Sequence, residues 1–258
     1  MDQVHLVVEA HVATVTMDNP PVNAVSRTLL GELREVFDSF AHDRNVRVAV
    51  LTGAGERAFM AGADLRAVPI PIDEQDPSDV VDRGRAVRDL FWAVYDCAVP
   101  VIAAVNGPAI GAGLALAAVC DVIVASENAM FQAAEINVGL LGASAQLQLL
   151  VGRHRARELY FTGRPISAAT LEAGGAVSRV VSSAELATVA HQLATELASK
   201  SPIALRLAKE SMNRTEFLPL RDAYRLEQDY TARLGAFEDS AEARAAWAEK
   251  RSPIWKWR

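Results

Sequence analysis

The sequence predicts an α/β fold that ends in a helical part, on three observations. Short, continuously apolar runs at residues 46–51, 101–105 and 122–125 read as strands buried on both faces. The stretches between them are long enough for the helical crossovers that parallel neighbours require. From residue 183 onward, segments 184–199, 202–212, 219–234 and 238–250 all read as helices, with no strand among them.

Taken in order, residues 3–9 and 12–17 alternate apolar and polar around a turn at Ala10-His11, the pattern of a half-buried hairpin. After Asn19-Pro20-Pro21, Ser26 is placed to cap a helix in which Leu29, Leu30, Leu33, Val36, Phe37 and Phe40 recur on one face. The run 46–51 ends at Thr52-Gly53. Segment 68–82 holds three prolines and five acidic residues without periodicity until its end, and reads as a loop, either a surface insertion or a lid or wall that shapes a pocket. The apolar stretch 99–119 is broken by Pro100, by Asn106-Gly107-Pro108 and by Gly111 and Gly113, so it is core and not a membrane span.

Composition narrows the function. With 258 residues, 51% of them hydrophobic, the chain can bury a large core. A net charge of −6 with no basic face argues against nucleic acid as a partner. The N-terminal MDQVHLVVEAH lacks the basic and long apolar regions of an export signal, so a cytoplasmic location is expected. Cys97 and Cys120 lie in apolar surroundings without metal-ligand spacing, and no metal is expected.

Two segments carry chemistry. In residues 101–121, VIAAVNGPAIGAGLALAAVCD, a strand passes through small residues at Gly111-Ala112-Gly113 into an apolar helix. Unpaired N–H groups at such a turn suit an anion or a developing oxyanion, although tight packing or a nucleotide site would give a similar pattern. In residues 57–65, RAFMAGADL, small residues again follow a strand. If the two strands share a sheet, both segments converge at its C-terminal edge, where α/β folds bind ligands.

These residues resemble the crotonase superfamily, the enoyl-CoA hydratase/isomerase family, nearly end to end. The likeness is carried by Asn19-Pro20 with Asn23-Ala24, FMAGADL at 59–65, PVIAAVNGPAIGAGLALAAVCD at 100–121 and AEINVGLLG at 134–142. FTGRPISA at 161–168, LAKESMN at 207–213 and WAEKR at 247–251 complete it. The resemblance implies a ββα spiral core over residues 1–200 with an acyl-CoA site, and a helical trimerisation region over 201–258. It implies a homotrimer or hexamer, an acyl-CoA thioester as substrate, and no cofactor beyond the coenzyme A of that substrate. It places the backbone N–H groups of Ala63 and Ala112 on the thioester oxygen and Glu135 as the acid/base. Ala24, Ala61, Gly62, Asp64, Leu65 and Gly111 fall in the substrate-binding segments. Trp247 and Lys250 match positions that meet the nucleotide of a neighbouring subunit, with Arg27 and Lys209 as further cationic candidates.

Hydratases of the family use two glutamates, and the first of those positions is Ala115 here, while Glu135 matches the second. A dienoyl-CoA isomerase would carry an aspartate at Ala143. One carboxylate suffices for a 1,3-proton shift, so the resemblance implies an enoyl-CoA isomerase-type reaction first. A hydratase of altered mechanism or a hydratase/lyase comes second, and an acyl-CoA binder without chemistry is the alternative from another class. Ser144, Gln146 and Gln148 are candidates for orienting water or substrate in place of the missing carboxylate.

Overall fold

A computed structural model describes residues 2–62, 77–82 and 84–258. Strands β1 (Val4–Glu9) and β2 (Val12–Met17) form the antiparallel hairpin that opens the chain. Helix α1 (Arg27–Ser39) follows, with Ser26 Oγ accepting the Leu29 N–H at 3.0 Å, a cap that contributes about 1 kcal/mol. Its buried face is Leu29, Leu30, Leu33 and Phe37, spaced as the periodicity requires. Then come β3 (Val48–Gly53), α2 (Pro77–Val81), α3 (Arg85–Tyr95), β4 (Val101–Val105), β5 (Ala109–Ile110), α4 (Ala112–Ala118), β6 (Val122–Ser126) and β7 (Met130–Gln132). A 3-10 turn at Glu135–Val138 leads to α5 (Ser144–Thr162), β8 (Ile166–Ser167), α6 (Ala168–Ala173) and β9 (Arg179–Val181). Helices α7 (Leu186–Ala198), α8 (Pro202–Thr215), α9 (Leu220–Gly235) and α10 (Glu238–Glu249) complete the chain.

The main sheet runs β1-β2-β3-β4-β6-β9, parallel from β2 onward, and a small second sheet runs β5-β7-β8. Alternate residues of β3 and β4 feed opposite cores. Ala49, Leu51, Val101, Ala103 and Val105 face the core that includes Leu33, Phe37 and Phe131. Val48, Val50, Ile102 and Ala104 face α7 through Leu186, Ala190, Ala194 and Ala198. Helices on both faces are why these strands read as unbroken apolar runs.

Several expectations shift. The strand expected at 46–51 begins at Val48 and reaches Gly53. The hairpin is half-buried only in its second strand: β2 is largely buried, whereas β1 is the sheet edge, with Leu6, Val7 and Val8 exposed. Of the segment read as a loop, Pro77–Val81 is a short helix, and residues 68–76 lie outside the described ones. The strands β5, β7, β8 and β9 are too short for periodicity to reveal. No helix among the described residues is long and apolar enough to cross a membrane.

Candidate active site

The two glycine-rich segments meet at the C-terminal edge of the main sheet. Asn106, at the end of β4, donates from its side chain to Gly53 O (3.0 Å) and Gly55 O (2.8 Å), locking the exits of β3 and β4 together. Beyond that point Met60 bridges Ala109, and the Ile110 N–H donates to Met60 O at 2.9 Å. The contact is so close that a methyl at Gly113 would lie 2.1 Å from Met60 O, so only glycine fits there. The loop after the first hairpin joins the same cluster. Ala61 N–H donates to Val22 O at 3.1 Å and Val25 N–H to Gly62 O at 2.8 Å, which brings Ala24, Ala61 and Gly62 side by side. Asn23, in the left-handed region at φ 53°, holds that loop by donating to Ala54 O and Ala58 O.

Ala112 opens α4, so its N–H is one of the first-turn donors that no intrahelical carbonyl can reach. A methyl on Gly62 would come within 3.8 Å of that nitrogen, which puts the end of the 57–62 segment beside it. Ala63, Asp64 and Leu65 lie outside the described residues.

Glu135 completes the cluster. Gly111 N–H donates to Gln132 O at 2.8 Å, tying the start of α4 to β7 and hence to the 3-10 turn that begins at Glu135. The carboxylate rests between two glycines: a methyl at Gly111 or at Gly142 would each lie 2.8 Å from Glu135 Oε1. Glu135 Oε2 is buried with no hydrogen-bond partner among the described residues. Buried polar atoms without partners are rare and costly, so they mark places where something other than stability set the residue. Ala115, at the first hydratase glutamate position, is 1% exposed inside α4 and offers no proton carrier.

The neighbouring candidates separate. Ser144 is exposed on the first turn of α5, and Gln148 donates its side-chain amide to Ser144 O of its own helix at 3.3 Å. Gln146 is half-buried. Ala143 adopts a left-handed conformation at φ 57°. Sequence reasoning missed Gly142 as a wall of the carboxylate, and also Tyr160, whose hydroxyl accepts the Gly142 N–H at 3.1 Å. The one sequence signal was Gly152, a break in an otherwise helical run.

Lys209 is not available to a phosphate. It is 5% exposed and donates to Asp121 Oδ2 (2.7 Å), Val94 O (3.1 Å) and Val99 O (3.3 Å), so its ammonium is spent within the fold. Arg27 is the first residue of α1 and exposed. Trp247 is 85% exposed on α10, and Lys250 caps that helix at φ 55°. Neither is joined to Glu135 by a hydrogen bond or ion pair among the described residues. Both cysteine thiols are pushed up by burial, which disfavours the nucleophilic thiolate. Among the described residues no cluster of His, Cys, Asp and Glu could hold a metal ion.

Comparison with known proteins places this geometry in a family. Residues 8–258 match the enoyl-CoA hydratase/isomerase family model. A (7aS)-7a-methyl-1,5-dioxo-2,3,5,6,7,7a-hexahydro-1H-indene-carboxyl-CoA hydrolase of Mycobacterium tuberculosis is 37% identical, over 94% of this chain and 96% of its own. A carnitinyl-CoA dehydratase of Escherichia coli is 36% identical, over 100% of this chain and 99% of its own. The crystal structure of an enoyl-CoA hydratase from Bacillus anthracis superposes with a TM-score of 0.91 at 32% identity, covering 99% of this chain and 100% of that one. A glycine-lined carboxylate beside a helix start at the sheet edge, together with likeness along the whole chain, leads to one conclusion: the chain belongs to the enoyl-CoA hydratase/isomerase family.

Proposed function

We propose that this protein acts on an acyl-CoA thioester by an isomerase-type proton shift, with Glu135 as its single acid/base. The observation that carries this reading is the placement of one carboxylate, with a buried oxygen unpartnered among the described residues, against the glycine that precedes Ala112, while the other glutamate position is a buried alanine. The thioester oxygen is taken to lie on the N–H groups of Ala112 and Ala63. Glu135 removes a proton from C2 of a 3-enoyl-CoA, and the electron pair moves through the carbonyl to leave negative charge on that oxygen. Fixed donors there lower the barrier by roughly 3–4 kcal/mol each. The protonated Glu135 then returns its proton to C4, the double bond moves to C2–C3, and the carboxylate is regenerated. Charge and atoms balance without a cofactor.

A second reading is favoured by the relatives, whose names describe a hydrolase and a dehydratase at 36–37% identity over nearly complete chains. In that reading Glu135 alone activates or releases water. Trp247, Lys250 and the exposed apolar side chains of Met212, Phe217 and Leu220 support assembly into trimers or paired trimers, in which the C-terminal helices meet a neighbour's nucleotide.

The test offers 2-enoyl- and 3-enoyl-CoA of several chain lengths and follows conjugated-thioester absorbance and product mass. Conjugation without mass change supports isomerisation, and a gain of one water supports the second reading. Binding without turnover of either, with Glu135→Gln indistinguishable from the parent, would leave an acyl-CoA binder.

A further inference from the structure

We propose that Tyr160 is a positioning residue for Glu135, an inference that rests on the reading of Glu135 as the acid/base. Helix α5 spans 19 residues, yet Gly152 within it sits at φ 69°, ψ 173°, outside helical geometry and in a region open essentially to glycine alone. In a continuous helix, residues 142 and 160 would be roughly 27 Å apart at 1.5 Å per residue. Instead the Gly142 N–H donates to the Tyr160 hydroxyl oxygen at 3.1 Å. The chain therefore doubles back at Gly152, and the second half of α5 returns to the loop that walls the carboxylate.

The return is anchored a second time. Gly163 O, just beyond α5, accepts from Gln132 Nε2 at 2.7 Å and from Asn137 Nδ2 at 3.3 Å. Those two side chains bracket Glu135 in the sequence, so the end of α5 grips the turn from both sides while Tyr160 grips the loop that follows it. What Tyr160 holds is not a relaxed loop. Ala143, next to Gly142, adopts a left-handed conformation at φ 57° that costs a non-glycine residue roughly 1–2 kcal/mol. Remove the phenol oxygen and the Gly142 N–H loses its acceptor. Gly142 is then free to leave Glu135 Oε1, and water can reach Oε2, which is buried in the parent structure. The carboxylate loses its aim, while the groups that hold the thioester and the nucleotide are untouched.

Tyr160→Phe keeps the ring, which is 8% exposed and stacked edge-on to Phe161 with centroids 6.5 Å apart, so the fold is retained. We expect kcat to fall about tenfold or more, with KM within about twofold, as for a misaimed rather than unbound catalytic group. In a Glu135→Gln background the same substitution should change the residual rate no further. Equal losses in both backgrounds, or a rise in KM at constant kcat, would overturn the proposal. One readout does not depend on turnover: the 13C carboxyl resonance of Glu135, assigned by its disappearance in Glu135→Gln, should move in Tyr160→Phe while the other carboxyl resonances stay in place. If it stays where it was, positioning by Tyr160 is wrong whatever the substrate. If it moves while the parent protein turns over no enoyl-CoA, the proposed activity fails and the positioning role stands.

Discussion

Two carboxylates that flank α4, the partly exposed Asp121 and the half-buried Glu135, are treated in opposite ways. Asp121 Oδ2 accepts from the Val101 N–H at 2.6 Å and from Lys209 Nζ at 2.7 Å, and the same ammonium also satisfies two carbonyls. That oxygen is answered within the fold. Among the described residues Glu135 pairs with no cation, and its Oε2 is buried without a partner. A paired charge stabilises one arrangement of the chain, whereas a carboxylate oxygen left without a protein partner keeps its lone pairs for another group. Both sit near the start or end of α4, and they differ in the side chains supplied to each.

That contrast can be broken in descending order of effect. Glu135→Gln should lower turnover by about 10²- to 10⁴-fold, the range of a lost general acid/base, and leave the melting temperature nearly unchanged. A large loss of stability on differential scanning calorimetry would put Glu135 in the same structural class as Asp121. Lys209→Met should do the converse. With Asp121 left without its cation, we expect a loss of about 3 kcal/mol in urea unfolding, the lower end for a broken buried pair because only Lys209 is buried and the Asp121 side chain is 27% exposed. Turnover per folded molecule should hold, and Asp121→Asn in the same chain should recover part of the stability.

Gly113→Ala lies between the two regions. Its methyl would meet the Met60 carbonyl, so we expect a loss of about 1–3 kcal/mol from overpacking and, because Ala112 is the adjacent residue, a fall in kcat/KM beyond that in stability. Unaltered kinetics in the folded variant would separate the packing of the two loops from the placement of the Ala112 N–H.

The smallest effect belongs to the C-terminal tail. Arg251 and the Ile254 N–H hold the Glu242 carboxyl down at about 2. Its folded value lies below the ordinary glutamate value near 4.3, so its contribution is present above that pH and is lost as the pH falls toward 2. Acid titration followed by tryptophan fluorescence, with Trp255 and Trp257 in the tail, should show a step in this range that Glu242→Gln lacks. An identical titration in the variant would mean that the tail is held by other contacts, such as Asp239 with the Lys256 and Trp257 N–H groups.

Much of this was legible from one-dimensional pattern. Ser26 announced its helix because a hydroxyl before an apolar stripe has a local use, and β3, β4 and β6 announced themselves because strands covered on both faces are apolar without interruption. Gly111, Ala112 and Gly113 were legible as a site of close approach, since only small residues tolerate backbone contacts such as that of Gly113 with Met60. Lys209 was misplaced among cationic candidates because a lysine carries no local sign of where its ammonium ends. Its partner Asp121 is 88 positions away in the sequence. Tyr160 was invisible for the same reason, as its use depends on the reversal at Gly152.

The sequence by itself determined the fold class, the order of the main strands and the terminal helices, and the presence of a single glutamate with Ala115 opposite it in the family pattern. These are properties of period, composition and motif, each encoded within a few neighbouring residues. Only the tertiary structure decided that the two small-residue segments meet at one sheet edge, that Lys209 belongs to Asp121, and that Glu135 rests between Gly111 and Gly142 with one oxygen unanswered. Those outcomes depend on which distant residues the crossovers and the turn at Gly152 bring together, and chain reversals of that kind leave no periodic trace in the sequence.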